Sequence, residues 1–238
     1  VSGFDRLMSL GPWNKHMAEL FLVRHGQASF GADDYDQLSG LGEQQSFWLG
    51  QYFAERHIEF DKIIIGTQLR HQQTAQHLCR GLGQEQIFDQ HAGLNEYDFY
   101  AITEAMERQY PQHMSHAKGD KRSYYKALKQ ALELWSRDQL DGVPETWKAF
   151  MARVADAQQF IQQSNAKRVL VVSSGGPIAA LTHQVLECPT ATAIELNMQI
   201  RNTSVCHYFF NRESIRLASF NNISHLDQPG RTDAITYG

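Results

Sequence analysis

The segment that most restricts the fold is residues 167–173 (KRVLVVS), an apolar, β-branched run that stops at Ser174-Gly175-Gly176-Pro177. A short apolar run without polar alternation reads as a strand buried on both faces, and such a strand needs a layer packed on either side. Residues 19–23 (ELFLV), which stop as abruptly at Arg24-His25-Gly26, and residues 61–65 (DKIII) read the same way. A shorter strand is expected at 86–88. Helical signals fill the gaps. Ser39 is placed to cap a helix carrying Phe47, Trp48, Tyr52 and Phe53 through about Arg56. Thr67 or Gln68 opens another, running to about Arg80 and closed by Gly81 and Gly83. Pro144-Glu145 begins a helix that reaches about Gln163, and residues 178–186 form one after the Gly175-Gly176-Pro177 turn. Residues 205–210 and 214–220 close the chain as an antiparallel-looking pair.

Strands alternating with helices around a strongly apolar central strand predict an α/β fold, a three-layer α-β-α sandwich on a mostly parallel sheet. Residues 101–142 change character, being rich in Lys, Glu, Gln, His and Tyr in a helical pattern, and read as a helical insert broken at Pro111 and 119–123. The expectation is a single domain over 17–238. Periodicity starts only at Met17, so residues 1–16 are expected to lie outside the fold, as an upstream extension or an artificial remnant. They carry no sustained hydrophobic run and make a poor signal peptide.

Charge and cysteine usage limit the partners. A net charge of −4 gives no electrostatic case for nucleic acid or an anionic membrane, and no stretch is long and apolar enough to span a bilayer. An anionic ligand must therefore be held by a local cluster of cations. Cys79, Cys188 and Cys206 are scattered without CxxC spacing and read as reduced thiols of a cytoplasmic protein. Nothing in the sequence sets an oligomeric state.

In sheets of this kind ligands bind beyond the carboxyl ends of the strands, which directs attention to Arg24-His25-Gly26 and Ser173-Ser174-Gly175-Gly176. A strand end followed by Gly lets backbone approach a ligand, Arg grips phosphate or carboxylate, and His is a competent nucleophile when one ring nitrogen is fixed. Alone, the tripeptide reads equally well as a capped strand with a partly buried His. Its context is more specific. LVRHGQAS is followed by Leu38-Ser39-Gly40-Leu41-Gly42-Glu43-Gln44-Gln45, by Leu69-Arg70-His71-Gln72-Gln73-Thr74-Ala75, by Leu94-Asn95-Glu96, and by the Ser173–Ile178 turn. This ordered series resembles the histidine phosphatase (phosphoglycerate-mutase-like) superfamily, with its RHG, its L[ST]xxGxxQ helix start, its RxxQTA helix, its LxE acid loop and its strand–GG turn. Asn202-Thr203-Ser204 and the 221–226 stretch (NNISHL) resemble the family's ending, so the resemblance runs from about 19 to 228.

The resemblance implies a metal-independent phosphomonoester hydrolase with no cofactor, acting on a small phosphorylated substrate. His25 would carry a phosphohistidine intermediate, Arg24 and Arg70 would clamp the phosphoryl oxygens, and Glu96 would serve as general acid and base, with Asp98 as fallback. Arg70 falls in the first turn of its helix, a poor place for a cation by dipole arguments and one better explained by a ligand. Thr74 and Gln73 are expected to face the core or the helix surface. The pattern also departs from the family's. Ser174 stands where most active members carry a second His, and Gly31 where many carry Asn. The Ser174 hydroxyl and the amides of Gly175 and Gly176 could still bind an oxyanion, so reduced activity and a branch that tolerates Ser both stay open. The acids Asp33, Asp34 and Asp36 argue mildly against a highly anionic substrate, which ranks a simple phosphatase above a mutase. The alternatives are a catalytically degenerate protein that binds a phosphorylated ligand, and a phosphoglycerate-mutase-type phosphotransferase. No GxxxxGK[ST] loop supports a kinase or nucleotide hydrolase.

Other residues admit plainer readings. His113 and His116 are read as a solvated helix face and Tyr124, Tyr125, Leu132 and Trp135 as the insert's packing face or a lid. His71 could lean toward the phosphate or sit on the helix surface. His225 is read as a cap of the C-terminal turn or part of the site rim.

Overall fold

The computed structural model describes residues 17–29, 36–85, 87–114 and 121–237. Residues 1–16, Gly31, Asp33, Asp34 and His116, and the side chains of His113 and Tyr124, lie outside the described residues, and the expectations placed on them with these. The strands are β1 (Ala18–Arg24), β2 (Lys62–Ile65), β3 (Phe88–Gln90), β4 (Arg168–Ser173), β5 (Val205–Phe210) and β6 (Ile215–Asn222). They form one sheet in the order β3-β2-β4-β1-β5-β6. β1 runs parallel to β4, with Leu22 opposite Val171, and β2 is parallel to both β4 and β3. β5 and β6 extend the sheet antiparallel, with Cys206 opposite Leu22. The chain is thus α/β on a mostly parallel sheet, as the apolar runs imply.

Alternation along the buried strands sorts the core into two faces. Phe21, Val23, Ile63, Ile65, Leu170 and Val172 pack on α1 (Gly40–Glu55) and α2 (Leu69–Leu82) through Leu49, Phe53, Ala75 and Leu78. Leu20, Leu22, Ile64, Val169 and Val171 pack on the opposite layer. That layer holds α3 (Phe99–Gln109), α4 (Pro111–Met114), α5 (Lys121–Ser136), α6 (Trp147–Gln162), α7 (Gly175–Leu186) and α8 (Thr190–Gln199). Leu132 and Trp135 of α5 are fully buried there with Phe150 of α6, so these two side chains are packing face. Burying each such side chain contributes roughly 1.5–3 kcal/mol.

Several boundaries differ from expectation for local reasons. Gly81 lies inside α2 instead of closing it; a Cβ there would sit 2.1 Å from the Phe47 carbonyl oxygen, so the glycine allows α1 and α2 to touch. Gly83, in the left-handed conformation at φ 75°, is the actual stop. α6 starts at Trp147 because Thr146, not Pro144, is its N-cap, its hydroxyl accepting from the Ala149 amide at 3.2 Å. Gly175, Gly176 and Pro177 are the first turn of α7 itself, where proline's missing N–H costs nothing. Pro111 likewise opens α4. The third strand falls at Phe88–Gln90, later than expected, and α8 was not foreseen.

Candidate active site

Four strands point their carboxyl ends at one place. β1 ends in Arg24 and leads into His25; β2 leads to the start of α2, with Arg70 and His71; β3 leads to Glu96; and β4 leads through Ser174 into α7. The sequence-predicted residues His25, Arg24, Arg70, Glu96, Ser174 and Gly175 are therefore brought together.

His25 is held from all sides. Its amide donates to the Ser173 carbonyl at 2.8 Å, its carbonyl accepts from Asn202 Nδ2 at 3.2 Å, and the next amide, Gly26, donates to Thr74 Oγ1 at 3.0 Å. The His25 ring places Nδ1 2.7 Å from the Gly26 carbonyl oxygen. A carbonyl only accepts, so Nδ1 carries the proton and Nε2 keeps its lone pair. Burial, followed by the positive fields of Arg70 and Arg24, holds the His25 pKa well below the usual imidazole range, so the ring is neutral.

Arg70 is buried, at 5% exposure. Its Nη1 lies 2.6 Å from Asp36 Oδ1 and its Nη2 donates to Gln68 Oε1 at 3.0 Å. The other Asp36 oxygen accepts from the Leu69 amide at 2.8 Å. Asp36 thus supplies the negative charge that the start of α2 favours, and offsets the cation that looked out of place there. Arg24 Nη1 donates to the carbonyls of Ile200 and Tyr237. Gly175, the first residue of α7, lies beside it: a Cβ there would be 3.8 Å from Arg24 Nε and 2.8 Å from Asn197 Oδ1.

Glu96 is half-buried. Its amide donates to Gln68 Oε1 at 3.0 Å, and its carboxylate accepts from the amides of Gly176 at 3.1 Å and Tyr97 at 3.2 Å. Desolvation raises its pKa above the usual carboxylate value, against the lowering effect of the Gly176 amide and of Arg70 and Arg24. The Gly176 amide is therefore engaged by Glu96 and does not face the site as an oxyanion donor. Asp98, the fallback acid, is exposed and caps α3 by accepting from the Ala101 amide at 2.9 Å.

His71 is no surface residue. It is fully buried, its ring centroid 5.8 Å from that of His25 and its Nε2 2.8 Å from Ser174 Oγ. His225 is buried as well, and neither caps the C-terminal turn nor lines the rim with its ring. Its Nε2 lies 2.8 Å from Thr203 Oγ1, at the left-handed residue whose amide closes on the carbonyls of Arg24 and His25. Burial and Arg231 push the His225 pKa down to about 3.

The sequence reading named Gln68, Asp36 and Asn202 without the contacts they make in the site, and it missed the support given by Thr74. One signal was available: His71, Thr74, Ala75 and Leu78 share i, i+3, i+4, i+7 spacing, which puts His71 and Thr74 on the face of α2 that Leu78 buries. Gln68 and Asp36 have no comparable signal, for their roles depend on how separate loops meet.

The histidine phosphatase superfamily (branch 1) is the family whose model matches the chain, over residues 20–223. No curated protein matches. Among solved structures the chain is similar to a phosphoserine phosphatase from Entamoeba histolytica in complex with phosphoserine, at 19% identity and a TM-score of 0.61, over 87% of this chain and 98% of that one. It is similar to a phosphoglycerate mutase from Bacillus anthracis str. Sterne at 18% identity and a TM-score of 0.61, over 88% and 95%. A mycobacterial glucosyl-3-phosphoglycerate phosphatase is similar at 20% identity and a TM-score of 0.58, over 86% and 99%. At these identities the likeness is one of fold.

Proposed function

The chain belongs to the histidine phosphatase superfamily (branch 1), and from that premise we propose that it is a metal-independent phosphomonoester hydrolase working through a phosphohistidine on His25. The observation that carries this reading is the His25 ring itself. It is neutral, its Nδ1–H is fixed on the Gly26 carbonyl at 2.7 Å, and it sits in the field of two arginines.

In the first half-reaction His25 Nε2 attacks phosphorus, the N–P bond forms, and the P–O ester bond breaks with its electron pair on the leaving oxygen. Glu96, its pKa raised by burial, gives that oxygen a proton. In the second, the Glu96 carboxylate takes a proton from water, the water oxygen attacks phosphorus, and the N–P bond breaks to regenerate His25 and release phosphate. Arg24 and Arg70 stabilise the charge on the non-bridging oxygens throughout, which is the cationic role a metal ion fills in other phosphoryl-transfer sites. The amide of Gly175, at the start of α7, would bind the same oxygens.

The substrate class we assign is a small phosphorylated molecule, with water and not a second hydroxyl as acceptor. Cys79, Cys188 and Cys206 are free thiols, which fits a cytoplasmic enzyme. The test is hydrolysis of an aryl phosphate and a panel of phosphorylated metabolites by wild type and His25→Ala, with a chelator present. Turnover that disappears in His25→Ala is the expected result. Turnover that survives His25→Ala, or that the chelator abolishes, contradicts the reading.

A further inference from the structure

His71 and Ser174 come from different elements, α2 and the N-cap of α7, and meet in the interior at 2.8 Å with neither exposed. Ser174 does not behave as an ordinary cap. The N-cap side chains Ser39 and Thr146 both accept an amide hydrogen of their own helix, whereas Ser174 makes no such bond. Its hydroxyl is turned instead to His71.

The direction of that bond follows from the far side of the ring. His71 Nδ1 is buried against the backbone of Gly66, where a Cβ would lie 2.1 Å from it, and among the described residues it has no hydrogen-bond partner. A proton on Nδ1 would stay unpaired with or without a ligand, whereas with the proton on Nε2 the one donor left over is the Ser174 hydroxyl, from which a ligand oxygen can accept; the ligand-bound site therefore favours the proton on Nε2. Nε2–H then donates to Ser174 Oγ, and the Ser174 hydroxyl hydrogen must go to another acceptor. The described residues supply none. His25 and Ser174 follow the paired strand ends Arg24 and Ser173 of adjacent strands, and the His25 ring lies 5.8 Å from that of His71, so the hydroxyl stands beside the nucleophile's end of the sheet.

We propose that His71 and Ser174 form a donor relay, in which His71 Nε2–H orients Ser174 so that its hydroxyl donates to an oxygen of the phosphoryl group transferred to His25. Ser174 is the group that touches substrate, and His71 is a positioning residue acting through it. Burial and the charge of Arg70 hold the His71 pKa well below the usual imidazole range, which suits a neutral donor in this role. The same packing explains why a histidine at 174 would not simply add a donor: the space it needs is filled by the His71 ring.

The inference rests on the phosphohistidine reading, and its test separates the two. Single-turnover phosphorylation of His25 by an aryl phosphate is measured for wild type, Ser174→Ala, His71→Phe, the double variant and the exchanged pair His71→Ala/Ser174→His. Loss of one such donor slows the step by about 10²-fold, so each single variant should lose about that much. The double variant should be no slower than the slower single, because both changes break one relay. The exchanged pair should recover at least part of the rate, which a purely structural role for His71 would not produce. Should His71→Phe fail to fold, Ser174→Ala, which removes only one oxygen, still decides. A Ser174→Ala enzyme with the wild-type rate, or losses that multiply in the double variant, would overturn the relay while leaving the His25 reading intact. No phosphorylation of wild type by any ester would remove both.

Discussion

The Glu96 carboxylate accepts the amide hydrogen of Gly176 at 3.1 Å, joining the loop after β3 to the first turn of α7. The approach leaves no room for a side chain, since a Cβ at residue 176 would lie 2.1 Å from Glu96 Oε1 and 2.4 Å from Cε1 of the buried Tyr97 ring. Gly176→Ala should therefore displace the acid, together with the Tyr97 ring that packs on Trp135 and Phe150. A displacement near 1 Å costs about a hundredfold in rate. Steady-state kinetics should show kcat falling by about that factor, with a far-UV circular dichroism spectrum like that of wild type. An unchanged kcat would mean that the carboxylate is not used where it stands.

Glu96→Gln should trade activity for stability. The Glu96 pKa is raised, so the native state holds this proton more tightly than the unfolded chain does. The stabilisation tied to the proton is complete below the ordinary carboxylate pKa and is lost as pH rises through the raised value, leaving a net burden at neutral pH. Glutamine removes that burden, at the loss of one of the two acceptor oxygens that the Gly176 and Tyr97 amides use. At pH 7 the variant should melt a few degrees above wild type, with kcat reduced by about 10²–10⁴-fold. A lower melting temperature would place the net effect of burial on the other side.

Asp36 faces Arg70 at 2.6 Å, where its charge opposes that of an incoming phosphate. Asp36→Asn keeps an acceptor for the Leu69 amide but removes the competing anion. The KM for a phosphate ester should fall several-fold with a smaller change in kcat, as loss of roughly 1 kcal/mol of repulsion requires. A rise in KM would show that Asp36 chiefly orients the guanidinium.

Acid should destabilise the fold through its buried histidines. His25, His71 and His225 all have depressed pKa values, His225 at about 3. The unfolded chain takes up these protons near pH 6.5 and the native state does not, so stability falls as pH drops below that point. Well below it, one proton per site would remove up to about 4 kcal/mol per pH unit for the three together. Urea unfolding between pH 7 and 5 should show stability falling ever more steeply toward this limit, less what Glu96 returns as it takes up its proton, and His225→Asn should blunt the fall. A stability that is flat over this range would contradict neutral, buried rings.

The sequence reveals much of this arrangement where a residue's role is local. The 167–173 run reads as a strand covered on both faces, and residues 168–173 form the central β4. Ser39 caps α1 because the cap geometry depends on residues a few positions away. Where roles depend on distant segments, the reading falls short. Gly175-Gly176-Pro177 carries three turn-formers yet begins a helix, because the sheet aims β4 directly into α7. α8 (TATAIELNMQ) lacks a strong apolar stripe, and its packing against α7 sustains it. His71 meets Ser174 across 103 residues, a pairing that no local pattern encodes.

The most direct test of the account is to trap the covalent enzyme. Glu96→Gln lacks the base needed to activate water, so after rapid mixing with an aryl phosphate and quenching it should accumulate a phosphoryl group that is stable to alkali and labile to acid. Peptide mass spectrometry should place that group on His25. Release of the aryl alcohol with no phosphoenzyme, or a phosphoryl group on any other residue, would contradict the assignment of His25 as nucleophile.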